Sequence, residues 1–185
     1  RLADDGLRCA LVRSGQVAAA VLVQTGTEWR LLNTADAQGA AQALALDAAL
    51  TWTAVQVRAG VASRISGFAI AASPGAPLAV GIAVGQAAVE IDDVEISGAE
   101  TAGLLLENGS RALLRSSYVH DNPGTGVVVA PGALPRLLHN VIAANGRGAR
   151  SGHAGIEVAP GVLPELFGNI VAGNQRGFFI YDAEY

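Results

Sequence analysis

The side chains able to do chemistry are few and dispersed. Sixteen acidic residues face 12 basic ones, all of them Arg, with three histidines and one cysteine, for a net charge of −4. Cleaving a glycosidic bond takes two carboxylates on either side of it. Adjacent carboxylates occur at Asp4-Asp5 and at Asp92-Asp93, and the expectation at the second pair is a polar corner that solvates its own backbone. His120, His139 and His153 have no partner four residues away and no clustered carboxylates, so no metal site is expected. His139 is read as a turn residue. Cys9 stands alone, which excludes a disulfide framework or a cysteine cluster and leaves a spectator thiol. "GRGARSG" at 146–152 has glycines but lacks the strand–Gly-loop–Lys context of a phosphate loop. No catalytic residue, cofactor or metal is assigned.

One segment has the composition of a binding loop. "GRGARSGHA" at 146–154 bears Arg147, Arg150 and His153, and it accounts for the extra length of one unit in a repeating pattern. Loops that project from a rigid scaffold are where binding groups concentrate. Arg147 and Arg150 would suit an anionic group there.

The elements that must position these residues are visible in the repeat itself. "VAPGALPRLLHNVIAAN" at 129–145 and "VAPGVLPELFGNIVAGN" at 158–174 are identical at 10 of 17 positions. Weaker copies begin with Gly or Ala and an apolar–x–apolar run: "AVQV" at 54–57, "GIAV" at 81–84, "GLLL" at 103–106, "GVVV" at 126–129, "GIEV" at 155–158 and "GFFI" at 177–180. From Gly81 onward the steps between glycines are 22, 23, 29 and 22 residues. A period of this size signals a solenoid. The Leu-x-x-Leu-x-Leu-x-x-Asn frame of leucine-rich repeats is absent, and helices would not tolerate this density of Gly, Pro and Asn. Short β-branched runs with period-2 alternation read as strands, each pairing in parallel with its copy one coil later.

Register then assigns roles. Ser117, Asn140 and Asn169 fall in one column and Asn122, Asn145 and Asn174 in another, where side-chain amides can bond from coil to coil as ladders. Pro131 with Pro160, and Pro135 with Pro164, belong at corners that need no ladder N–H. Arg136 and Glu165 make a cross-coil ion pair. Alternation about Asn140 turns Leu137 and Ile142 inward and throws Leu138 and Val141 outward, with Phe167 and Ile170 one coil later. The middle residues of the apolar–x–apolar strands are Gln56, Ala83, Leu105, Val128, Glu157 and Phe179. Of these only Glu157 is acidic, and one carboxylate cannot act as both acid and base or hold a calcium ion alone. The column Leu105, Val128 and Phe179, together with Leu138, Val141, Phe167 and Ile170, is read as an apolar interface for a protein partner or a second copy of the chain.

"LLHNVIAAN", "LFGNIVAGN" and "RISGFAIAAS" (64–73) resemble the coils of the right-handed parallel β-helix, the pectate-lyase-like superfamily. "DAQGAAQALALDAALTWTAVQVRAG" at 36–60 is similar to that family's N-terminal cap, a helix over the open barrel followed by the first coil strand. The expected architecture is therefore all-β: a single-stranded right-handed parallel β-helix over 34–185, with a capping helix at about 36–50 that starts at Thr34 or Asp36. Residues 1–33 are expected as two or three antiparallel strands with turns at Ser14-Gly15 and Thr25-Gly26, either a cap or the tail of a preceding domain. The resemblance carries no single activity, because such folds host many. "DD" at 92–93 and "SGHAG" at 151–155 are similar to elements of polygalacturonases, but Ala follows His153 and no Arg-x-Lys follows.

With 51% apolar residues the chain can bury a core. The modest charge points away from nucleic acid, and no apolar run is long enough to span a bilayer. Arg without Lys, with abundant Ala and Gly, fits the codon bias of a high-GC bacterium, and an extracytoplasmic place (periplasm or cell surface) is the expectation. "NGS" at 108–110 would matter only in a eukaryotic secretory host. The functional expectation is a non-catalytic recognition module of a larger bacterial protein, for a protein partner or a glycan. The alternatives are a carbohydrate-active lyase or hydrolase and an extracytoplasmic sensor domain.

Overall fold

A computed structural model describes residues 8–12, 20–25, 28–32, 52–57, 63–72, 78–148 and 152–181. The expected capping helix at 36–50 and Arg150 lie outside the described residues, as does the side chain of Cys9. Near the N-terminus Arg8–Val12 (β1), Ala20–Thr25 (β2) and Glu28–Leu32 (β3) form an antiparallel meander, with Arg8 opposite Gln24 and Thr25 opposite Glu28. These are the antiparallel strands that the alternation of 1–33 predicts.

From Trp52 onward the chain coils, three short strands to a turn, through about five turns. Trp52–Val57 (β4), Leu78–Val84 (β7), Ala99–Leu106 (β10), Thr125–Val129 (β13), Ile156–Val158 (β16) and Phe178–Ile180 (β19) stack into a first sheet. Ser63–Ser66 (β5), Ala88–Asp92 (β8), Arg111–Arg115 (β11), Arg136–Leu138 (β14) and Glu165–Phe167 (β17) make the second. Ala69–Ala71 (β6), Glu95–Ser97 (β9), Tyr118–His120 (β12), Val141–Ala143 (β15) and Ile170–Ala172 (β18) make the third. Every neighbouring pair in these three sheets is parallel, as a coil that repeats one direction of travel requires.

The interior is a stack of aliphatic layers. Ile82, Leu104, Val127 and Ile156 come from the first sheet, Ile91, Leu114 and Leu137 from the second, and Ile96, Val119 and Ile142 from the third, all fully buried. Period-2 alternation accounts for this, since each of these residues is flanked on its strand by an outward position. In the last described coil the inward residues Leu166, Phe178 and Ile180 are exposed, because no further described coil stacks on them.

The two corners around the third sheet share one design. Between the second and third sheets Gly67, Asp93, Ser116, His139 and Gly168 have left-handed φ of 73°, 54°, 50°, 56° and 65°. Between the third and first sheets Gly98, Asp121, Ala144 and Gly173 have 77°, 47°, 57° and 63°. A side chain in this region costs on the order of 1–2 kcal/mol, and the residue that follows supplies compensation. Asn140 Nδ2 donates to Leu114 O (3.0 Å) and Asn169 Oδ1 (2.9 Å), while Asn140 Oδ1 accepts Ser117 N–H (3.0 Å). Ser117 continues this ladder by accepting from Val94 N–H at 3.2 Å. In the second ladder Asn145 Nδ2 donates to Val119 O and Asn174 Oδ1 (both 2.9 Å), and Asn145 Oδ1 accepts from Asn122 N (3.2 Å) and Asn122 Nδ2 (2.8 Å). Buried amides with filled bonding capacity are stabilising, and unfilled ones are costly.

That second ladder explains Gly103, Gly126 and Gly155 on the first sheet. A Cβ on Gly126 would lie 2.6 Å from Gly155 O and 2.8 Å from Asn145 Nδ2, and one on Gly155 would lie 2.5 Å from Asn174 Nδ2. The backbone must approach the amide column this closely for the coil to close.

Candidate functional site

On the first sheet, one outward column runs Gln56, Ala83, Leu105, Val128, Glu157, Phe179. Leu105, Val128 and Phe179 are half-buried, and Glu157 interrupts the apolar run between the last two. Glu157 is the centre of a closed network. Thr125 Oγ1 donates to its Oε2 at 3.0 Å and Tyr181 OH donates to its Oε1 at 2.5 Å. Having given its proton to Glu157, Thr125 Oγ1 accepts from Ala154 N–H at 3.3 Å and from His153 Nδ1 at 3.2 Å. The network thereby places a hydrogen on His153 Nδ1. The hydrogen bond to Glu157, then burial, push the Tyr181 phenol above its ordinary value. Phe179 meets Tyr181 edge-on (ring centroids 4.8 Å apart), and the Arg176 guanidinium lies 4.9 Å from the Phe179 ring centre.

The long loop is tied down at both ends. Gly148 N donates to Pro123 O (3.0 Å), Gly152 N to Gln175 Oε1 (3.2 Å), and Arg147 Nη2 to Gly173 O at 2.6 Å. His153 thus faces the first-sheet network, whereas Arg147 is drawn to the next coil's corner. No contact among the described residues joins the two.

The second sheet is an ionic face. Arg64 Nη2 lies 2.7 Å from Asp92 Oδ2, Arg115 Nη2 reaches Asp92 Oδ2 (3.1 Å) and Glu90 Oε1 (2.7 Å), and Arg136 grips Glu165 with bonds of 2.5 and 3.1 Å. The Arg64 hydrogen bond, helped by Arg115, holds the Asp92 carboxyl below its ordinary value. The expectation of a backbone-solvating aspartate corner is therefore corrected for Asp92, whose side chain is spent on two arginines. Only Asp93 occupies the corner.

Where the second and third sheets meet at the C-terminal end, Leu138 stacks under Phe167 and Val141 under Ile170. Leu138 and Val141 are half-buried, while Phe167 and Ile170 are 65% and 58% exposed. His139 packs edge-on to Phe167 at 5.3 Å. Further up the third sheet Tyr118 is 41% exposed and stacked on His120 (3.8 Å, 17°). The imidazole sits between Asp121 Oδ2 (2.7 Å) and Glu95 Oε1 (3.0 Å). Beside Tyr118 an open groove of about 370 Å³ runs over Gly67, Phe68, Ala69, Asp93, Glu95 and Ser116.

Residues 52–185, more than half the chain, match the family model described as right handed beta helix region. The chain belongs to the right-handed β-helix family. No curated protein and no solved structure matches it. The stacked coils agree with the pectate-lyase-like superfamily and do not select an activity within it.

Two features of this β-helix go beyond the sequence reading. Thr125 and Tyr181 enter the Glu157 network from 32 and 24 residues away. Tyr181 had a usable signal, since Phe179 shares a column with Glu157 and Tyr181 lies two residues on, hence on the same face. The groove at Tyr118 had one too: Gly67-Phe68-Ala69, Asp93-Val94-Glu95 and Ser116-Ser117-Tyr118 are in-register triplets. Among the described residues no group of three or more His, Cys, Asp and Glu is placed to hold a metal ion.

Proposed function

We propose that this β-helix is a non-catalytic recognition module that presents its outer faces to a protein partner. The carrying observation is the state of Glu157. It is the only acidic residue in the first sheet's outward column, and both its oxygens already accept hydrogen bonds from Thr125 and Tyr181. A general acid or base needs a carboxyl oxygen available to the substrate, and glycoside hydrolysis needs a second carboxylate across the bond. No other described acidic side chain hydrogen-bonds into the cluster. The exposed Phe167 and Ile170, in register with Leu138 and Val141, favour a protein over a glycan as the principal partner.

The test incubates the chain with a panel of neutral and uronic-acid polysaccharides and follows reducing ends and unsaturated products. In parallel, partners are captured from bacterial extracts on wild type and on a Phe167→Ser/Ile170→Ser variant. The expected result is no turnover, with capture that the double substitution removes. Turnover that Glu157→Gln abolishes would overturn the reading.

A further inference from the structure

The acidic side chains of the outer faces are unequally neutralised. On the second sheet Glu90, Asp92 and Glu165 are paired with Arg64, Arg115 and Arg136. On the first sheet Glu157 is satisfied by hydroxyls. The groove beside Tyr118 differs. Asp93 is exposed and makes no ion pair among the described residues, and Glu95 has only the His120 imidazole, which it shares with Asp121. No lysine or arginine lines the groove.

Its shape follows from side-chain size. Gly67 and Ala69 in one coil leave a trough, Asp93 and Glu95 stand in the next, and the Tyr118 ring rises as a wall in the third. Stacking on His120 holds that ring in place. An aromatic wall beside two carboxylates, with no arginine in the lining, is complementary to an organic cation with a flat face or an apolar stem. From Tyr118 the same outward column continues to Val141 and Ile170. Two strand spacings, about 10 Å, separate Tyr118 from Ile170, and three residues of a polyproline II chain, with a rise of about 3.1 Å each and three residues per turn, cover that distance and return to the same face.

We propose that the Tyr118 groove takes the arginine or lysine side chain of a partner peptide in the polyproline II conformation, whose apolar residue three positions on lies over Val141 and Ile170. The proposal rests on the recognition reading above and names the partner's chemistry. The cationic head lies between Asp93 and Glu95, and its stem or guanidinium plane packs on Tyr118.

Fluorescence anisotropy with a labelled peptide carrying Arg-Ser-Ser-Leu between glycines tests this directly. A matched peptide has citrulline, the neutral isostere, in place of arginine. The arginine peptide is expected to bind on the order of tenfold more tightly than the citrulline peptide. Asp93→Asn/Glu95→Gln should erase that difference, and Ile170→Ser should weaken both peptides alike. Arg136→Gln, on the ionic face, should change neither. Equal binding of the arginine and citrulline peptides to the wild type, or no binding of either, overturns the proposal without needing any variant to fold. Spermidine competing as well as the arginine peptide would also overturn it, because the ligand would then be a small amine. These outcomes leave the recognition reading standing, since only Glu157-dependent turnover removes that.

Discussion

Replacing Asn145 by leucine tests the amide ladder at its most buried rung. Asn145 is fully buried, and its side chain makes four hydrogen bonds of 2.8 to 3.2 Å. Leucine has the same number of side-chain heavy atoms but two bulkier methyl groups, so all four bonds vanish and some overpacking is added. Two of the affected groups keep other partners: Asn122 Nδ2 still donates to Ile96 O, and Asn174 Oδ1 still accepts from Asn145 N–H. Asn122 N–H loses its acceptor, and Val119 O loses the amide donor. Two buried polar groups left short cost about 1–3 kcal/mol each, and the leucine side chain returns part of that as apolar burial. The net expectation is a loss of about 3 kcal/mol, which lowers Tm by roughly 10 °C for a chain of this size. Urea and thermal unfolding followed by circular dichroism measure it. Arg136→Gln is the comparison, because it breaks a pair with bonds of 2.5 and 3.1 Å on an exposed surface. Solvent screens such pairs, so its midpoint should stay at the wild-type value. An unchanged midpoint for Asn145→Leu, or an equal fall for Arg136→Gln, would refute the assignment of corner stability to the buried amides.

Two glycines of one column should respond oppositely to alanine. Gly126→Ala places a methyl against Gly155 O and the Asn145 amide and should cost about 2 kcal/mol or more, while Gly177→Ala meets nothing within 4 Å and should be near neutral in the same unfolding assay. Tyr181 should titrate above its ordinary value because its protonated phenol donates to Glu157. Its contribution to stability is present below the unfolded pKa and lost as pH rises through the folded one. An ultraviolet difference titration against Tyr181→Phe should show that midpoint fall in Glu157→Gln. Asp92 has the opposite sign: its folded pKa is depressed by Arg64 and Arg115. Its contribution is present above the unfolded value and lost as pH falls through the folded one, so Asp92→Asn should flatten the acid limb of the stability profile.

The coil register was legible because the period is written in residues whose chemistry depends on position. Asn140 over Asn169 and Asn145 over Asn174 are the same residue in the same place, and a side-chain amide in a solenoid corner has few other uses. The left-handed corner residues were much less visible. One column holds Gly67, Asp93, Ser116, His139 and Gly168, four residue types sharing one φ region. What fixes that conformation is the hydrogen bonding of the following residue, so the positive-φ residue can vary. The Thr125 and His153 arms of the Glu157 network were illegible for a different reason. His153 arrives through a loop longer than its counterparts, and Thr125 reaches Glu157 from three residues out of register, so no column brings them together on paper.

A parallel β-helix gives each outward position a neighbour above and below at one strand spacing, so charge there is decided by columns. An acidic residue is quiet if the next coil supplies an arginine, as Glu165 is beneath Arg136. In the column that runs Ala69, Glu95, Tyr118, Val141, Ile170, no such partner is supplied. Glu95 lies between a methyl group and an aromatic ring, and among the described residues its only ionic neighbour is an imidazole engaged on both nitrogens. The second sheet pairs its outward carboxylates with arginines, and the first satisfies Glu157 with two hydroxyls. A carboxylate beside an exposed ring, continuous with exposed aliphatic side chains, is what the cationic side chain of the proposed peptide would meet there.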